Sequence, residues 1–320
     1  HAAAYAVVAY QTAYLKYYYP VEYMAALMTS VIENSGKVSD YIQVCRKMGI
    51  SIVPPDINAG EWDFSVRDGK ICYALSAIKS IGRNVILAMV RERKENGAYT
   101  DLQNFLERMY GGELNKRAVE NLIKSGAMDC IEGNRRQKME VYSSIMDELA
   151  REQKHSMTGQ YSLMDFLEGS QKDDFKISFP KVPEYEPGAL LAMEKEVLGI
   201  YISGHPLEAD RSLIEKNITA VSSDFIQDEE TGMARVRDQA IVTVAGMIAA
   251  KTVKTTKTNQ MMAFLTLEDL RGTLEVIVFP KDYEKYRAIL SPDQKIFVKG
   301  RVSLGDEVQG KLICEKIVAF

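Results

Sequence analysis

The chain has 320 residues, 46% of them hydrophobic and 26% charged, which is long enough for two or three domains with cores of their own. No apolar run approaches the ~18 residues that cross a bilayer and no signal-peptide pattern is visible, so the expectation is a cytoplasmic protein with no membrane partner. A formal net charge of −4 and four scattered cysteines argue against a uniformly basic nucleic-acid coat, a zinc site or a disulfide framework; they leave buried reduced thiols, and any DNA contact to local patches.

The first twenty residues, HAAAYAVVAYQTAYLKYYYP, predict an Ala-rich helix with Tyr5, Tyr10, Tyr14 and Tyr17 spaced about its surface. Pro20 ends it and fits the first turn of a second helix, VEYMAALMTSVI. No N-cap precedes His1 and no initiator Met is present, which gives the expectation of a piece cut from a longer protein. Tyrosines at helical spacing are most often core. The string HAAAYAVVAYQTAYLK, followed by a Tyr, Pro and an acidic residue, nevertheless resembles the end of the fingers domain in the alpha subunit of bacterial DNA polymerase III, a C-family replicative DNA polymerase. The resemblance implies a fingers part over residues 1–60, with His1, Tyr5, Tyr10, Gln11 and Lys16 near the incoming nucleotide and template, where imidazole and ammonium can meet phosphate oxygens.

Helices are expected to dominate to about Leu149. Within them two turns echo each other, Ile78-Lys79-Ser80-Ile81-Gly82 and Ile123-Lys124-Ser125-Gly126-Ala127. Such turns are either plain helix corners or the turns of helix-hairpin-helix elements, which aim backbone N–H groups and a helix's positive end at a DNA phosphate without reading bases. Tandem elements of this kind follow the fingers in the resembled family, NLIKSGAMD included. The resemblance therefore implies a tandem helix-hairpin-helix DNA-binding region over 61–150, with Gly82, Arg83, Lys124 and Gly126 against the DNA backbone. Ser80 and Asn84 stand where glycines are common in that hairpin. Nearby, Lys116, Arg117, Lys124, Arg135, Arg136 and Lys138 outnumber the acidic residues, offering a local basic patch.

From 151 to 187 the sequence reads as a polar, turn-rich linker around the apolar island YSLMDFL. Gln160, Ser162, Leu163, Met164 and Phe166 combine one hydrogen-bonding side chain with apolar anchors for a preformed pocket. A short amphipathic helix packing locally would look much the same. The island resembles the sliding-clamp-binding peptide of bacterial polymerases, with Met164 standing where an aromatic is usual. Residues 188–237 read as a connecting helical segment in which ALLAMEKEVLGIYISGHPL begins a helix ending at a Gly and Pro-marked turn.

Beyond 238 the period alternates. IVTVAGMIAA, MAFLTLED, TLEVIVFP, KIFVKGRVS and GKLICEKIV read as five strands, with the helix YEKYRAIL between the third and fourth, the order of an OB-fold barrel. Single-strand binding there would use Lys251, Lys254 and Lys257 in the first connection, Phe264 on the second strand, and Arg271; Phe279 reads as core. The fold class is thus multidomain, α then β: a helical fingers end and tandem helix-hairpin-helix region, then a five-stranded OB-fold.

The acidic residues include no Asp-x-Asp pair of the kind that holds two metals for nucleotidyl transfer. In the resembled family those aspartates, and the Mg2+ they bind, belong to a palm upstream of His1. The expectation is therefore a part of a DNA-directed DNA polymerase that does not polymerise by itself and carries no cofactor. Its partners would be primer-template duplex, single-stranded DNA, the sliding clamp and other polymerase III holoenzyme subunits. A non-catalytic DNA-binding scaffold of repair or recombination is the alternative.

Overall fold

The computed structural model describes residues 2–158, 178–228, 232–305 and 308–320. They fall into two compact units, His1–Gly204 and His205–Phe320. In the first, α1 (Ala2–Tyr18) and α2 (Pro20–Ser30) meet at the expected corner, with Pro20 in the first turn of α2. α3 (Ser35–Lys47) starts at Asn34, whose side chain accepts a hydrogen bond from the Lys37 N–H. A small sheet follows, built from β1 (Ile52–Val53), β2 (Ser65–Arg67) and β3 (Lys70–Cys72) in the order β1-β3-β2. Strands of two or three residues carry no alternation for a sequence to display, and the sheet was not expected.

α4 (Arg83–Asn96), α5 (Leu102–Met109), α6 (Lys116–Lys124), α7 (Arg135–Thr158) and α8 (Pro187–Leu198) complete this unit. One apolar core runs from Met24 on α2 through Phe105 and Leu122 to Val197 on α8. Residues expected to form a separate fingers part, such as Met28, Ile42 and Ile57, therefore share a core with the expected hairpin region. α8 ends as read, at Gly199 with φ 82°.

The start of α7 organises its surroundings. Asn134 and Gln137 form a reciprocal capping box, each side-chain oxygen accepting from the other's backbone N–H at 2.8 and 2.9 Å. Segment 178–186 docks here: Gln137 Nε2 donates to Pro180 O, Asn134 Nδ2 donates to Val182 O, and the Glu184 carboxylate accepts from the N–H groups of Arg135 and Arg136. α7 also continues to Thr158, into sequence read as linker. Burial pushes the Glu184 carboxyl up, but the N–H groups of Arg135, Tyr185 and Arg136 outweigh it and hold its pKa below the usual 4.5. A carboxyl depressed by folding stabilises above its unfolded value and loses that contribution as pH falls through the folded one. Glu184→Gln is therefore expected to cost about 1 kcal/mol at neutral pH, the usual worth of a cap, with the difference closing below pH 4.5; thermal melts of both forms across acid pH check it.

The second unit is the five-stranded barrel. β4 (Ile241–Thr255), β5 (Met261–Glu268), β6 (Thr273–Val278), β7 (Lys295–Ser303) and β8 (Lys311–Ala319) close in the order β4-β5-β6-β8-β7, with β6 and β8 parallel. This is the OB-fold order, and the expected helix, α9 (Pro280–Tyr286), lies between β6 and β7. Leu265, Val276, Val298 and Leu312 fill the interior. Gly246 allows the close approach of β4 to β5, since an added Cβ would sit 2.7 Å from Glu268 O. Residues 205–237 belong to this unit: Lys295 Nζ bonds Asp210 at 2.6 Å and Pro206 O at 3.0 Å, while Ala220 and Phe225 enter the barrel's apolar cluster.

Two burial expectations need correction. Phe279 is 44% exposed, because it sits at the cap position of α9 and outside the barrel interior. Cys45, Cys72 and Cys314 are buried free thiols, but Cys130 lies in the exposed turn after α6.

Candidate nucleic-acid interfaces

α1 is solvent-exposed along its whole length. Helical periodicity puts Tyr5 and Lys16 on one side, Tyr10 on nearly the opposite side and Gln11 between them, so the four do not converge. A row the sequence reading did not single out is Tyr10, Tyr14 and Tyr18, with successive ring centroids 6.3 and 4.5 Å apart; their i, i+4 spacing was the available signal. His1 and the clamp-peptide residues Gln160, Ser162, Leu163, Met164 and Phe166 lie outside the described residues.

The two echoed turns part company. In the first, a short 3₁₀ turn at Leu75–Ala77 leads through Ile78–Gly82 into α4. Ser80 has φ 61°, the left-handed region that explains why glycine is common there. Gly82, Arg83 and Asn84 are exposed, and Gly82, the cap residue, offers no side chain to the first N–H groups of α4. Its neighbours hold the turn rigid: the Lys79 N–H donates to Val197 O, Lys79 Nζ to Glu196 O, and Asn121 Nδ2 to Lys79 O at 2.6 Å. Asn84 Nδ2 is committed to Glu113. Arg83 extends over the Trp62 ring, 5.4 Å from its centroid. An open helix start with a guanidinium beside it is a ready anion site.

The second turn is closed. Gly126 is buried at φ 80°, and an added Cβ would collide with the Arg135 guanidinium. Lys124 bonds Glu120 at 2.8 Å and Glu196 at 2.9 Å. Burial pushes its ammonium down, but these two carboxylates outweigh that and hold its pKa above the usual lysine value. Gly126 and Lys124 therefore serve packing, a correction to their expected place on the DNA backbone. The basic patch dissolves in the same way: Arg135 is 7% exposed and pairs with Asp129 and the buried Glu194, Lys138 is fully buried, and Lys116 and Arg136 pair with Asp147 and Glu140.

In the barrel, Lys251 and Lys254 lie on β4 itself, correcting the expected basic loop. The strand continues to Thr255, paired with Met261 of β5, and only the turn with Lys257 and Asn259 lies beyond it. The alternating Thr and Val residues suit an extended hairpin. Lys254 Nζ lies 4.9 Å from the centroid of the half-buried Phe264 ring. Thr252, Phe264 and Ile277 are direct cross-strand neighbours on the outer face of β4, β5 and β6. Lys251 is an odd number of residues from Lys254 and so faces the other side of the ribbon. Arg271 is at the far end of β5, roughly 20 Å away at 3.3 Å per residue, in a turn that Asp269 ties to Ser222. The structure thus brings together Lys254 and Phe264, with Met262 and Ile277 beside them, and leaves Lys251 and Arg271 apart.

Among the described residues no group of three or more His, Cys, Asp or Glu could hold a metal ion, and no helix is long and apolar enough to cross a membrane. Comparison with known proteins bears on the segments that carry both surfaces. Residues 49–138 match the helix-hairpin-helix motif family and residues 242–319 the OB-fold nucleic acid binding domain family. The chain is 35% identical over 99% of its length to the DNA polymerase III subunit alpha of Borreliella burgdorferi, covering 27% of that protein. It is 36% identical over 95% of its length to the subunit of the same name from Saccharopolyspora erythraea, and 34% identical over 96% to that of Escherichia coli K12, covering 25% and 26% of them. The chain thus spans about a quarter of the length of these curated relatives.

Proposed function

Because the chain belongs with the DNA polymerase III alpha subunits it matches, we propose that it is the part of a replicative DNA polymerase that holds DNA and the sliding clamp. Template-directed nucleotide addition, with its palm aspartates and Mg2+, is assigned to the rest of the polymerase. The first hairpin would grip a duplex phosphate between the open N–H groups of α4 and Arg83. The outer face of β4, β5 and β6 would carry single-stranded DNA, a base stacking on Phe264 and Lys254 meeting its phosphate. Tyr5, Tyr10, Gln11 and Lys16 on the exposed α1 would serve the nucleotide and template, and Gln160 to Phe166 the clamp, within the holoenzyme.

The observation that carries this reading is the exposed, uncapped start of α4 inside a segment that matches the helix-hairpin-helix family. Titration of labelled duplex and labelled single strand with rising salt tests it. Duplex affinity should fall linearly with salt on logarithmic axes, as phosphate contact requires. Lys254→Ala with Phe264→Ala should weaken single-strand binding about tenfold or more, one stacked base being worth ~1–3 kcal/mol, and leave duplex binding as it was. Salt-independent duplex affinity would remove the hairpin's role; an unchanged single-strand affinity would remove the barrel's.

A further inference from the structure

Trp62 is the one tryptophan of the chain. Its backbone is pinned to the entry of the first hairpin turn: the Ser76 N–H and Oγ both donate to Trp62 O, at 3.3 and 2.6 Å, and the Leu75 N–H donates to Glu61 O. The indole is half-buried against the apolar core and lies beneath Arg83, the first residue of α4. Arg83 is exposed and has no carboxylate or hydrogen-bond partner among the described residues. Beside the turn, Lys79 is occupied by Glu196 O, Asn84 by Glu113 and Asn121 by Lys79 O.

We propose that Trp62 is a positioning residue for duplex DNA: its ring holds the Arg83 guanidinium beside the open N–H groups of α4, so that one backbone phosphate is met by both. This rests on the duplex-binding reading of the first hairpin. A guanidinium lying against an aromatic face keeps its N–H edge free for two oxygens. Without the ring, the long Arg83 side chain would have to be ordered at the moment of binding, and that entropy would be taken from affinity. Half-exposure of the indole fits this role better than core filling alone.

The test uses the 320-residue chain and a short fluorescein-labelled duplex. Arg83→Ala should weaken binding and lower the salt slope by about one. Trp62→Leu should weaken it about threefold to tenfold, the worth of a partly exposed cation–π contact, and Trp62→Phe should restore part of the loss. In the Arg83→Ala background Trp62→Leu should have no further effect, because a positioning residue acts only through its partner. Trp62 emission should also change as the duplex saturates, a readout that holds even if Trp62→Leu fails to fold. Wild-type affinity in Trp62→Leu, or losses that simply add in the double variant, would overturn the proposal while duplex binding stands. Failure of the wild-type chain to bind duplex would overturn the hairpin reading itself and this inference with it.

Discussion

Lys138→Met is expected to destabilise the helical unit by about 3 kcal/mol, lowering its melting temperature by roughly 6–12 °C for a unit of this size. Lys138 is fully buried, and its Nζ donates to Met128 O at 2.8 Å, Ile131 O at 3.0 Å and Gly133 O at 2.5 Å. Three donors thus meet three carbonyl oxygens of the turn that joins α6 to α7. Burial lowers the pKa of the ammonium, and the nearby Asp129 and Glu184 carboxylates pull it the other way without making up the difference. Methionine keeps the volume and removes all three donors, so the loss reads hydrogen bonding with little contribution from a cavity.

Because the protein consists of two units, the transition to follow is that of the helical one. Calorimetry should show it moving while the barrel transition stays in place. Equal melting temperatures in Lys138→Met and wild type would mean that the turn finds other donors, and that Lys138 was tolerated there without supporting it. The same turn carries Arg135 and Asp129 against Glu194, so its loosening should also reduce the hold of α8 on the helical unit.

Lys138 also marks the limit of what the sequence discloses. In the string NRRQKME it is one of three nearby cations, and nothing in the string separates the buried Lys138 and Arg135 from the half-buried Arg136; Lys138 is held by backbone carbonyls of the preceding turn, and Arg135 by Asp129 and a carboxylate 59 residues on. The same limit separates the two echoed turns, alike as Ile-Lys-Ser, because only tertiary packing covers Gly126 and leaves Gly82 open. Where the signal is local, reading succeeds. Pro20, the five alternating strands and Gly199 each fix the backbone through their own φ preference or period. The basic run after Ala250 shows an intermediate case: its β-branched residues suit the strand that the structure shows to Thr255, but its charge reads as a loop. Trp62 gave no signal beyond being a lone tryptophan two residues before an apolar Phe64, and its use follows only from the geometry around Arg83.

The proposed clamp contact makes the other large prediction. Gln160→Ala with Leu163→Ala should abolish saturable binding of the chain to a bacterial sliding clamp in a calorimetric titration, weakening it about a thousandfold if each is an anchor worth ~2 kcal/mol. DNA binding should be unaffected, since Arg83, Lys254 and Phe264 lie elsewhere in the sequence. The flanks of the peptide favour tethering: α7 leads into it, and segment 178–186 after it is fastened to the start of the same helix through Val182 O, Pro180 O and Glu184. If the peptide binds a clamp, tethering would keep the polymerase at an effective concentration of order millimolar around its primer, so a modest affinity would suffice for processive synthesis. Met164 sharpens the test. Met164→Phe adds the usual aromatic and should tighten binding about twofold to tenfold, as an extra aromatic contact of ~0.5–1.5 kcal/mol would. Tightening by Met164→Phe together with loss in the double variant would place the pocket contact at these residues. A clamp that binds the double variant as well as the wild type would move the contact elsewhere in the chain.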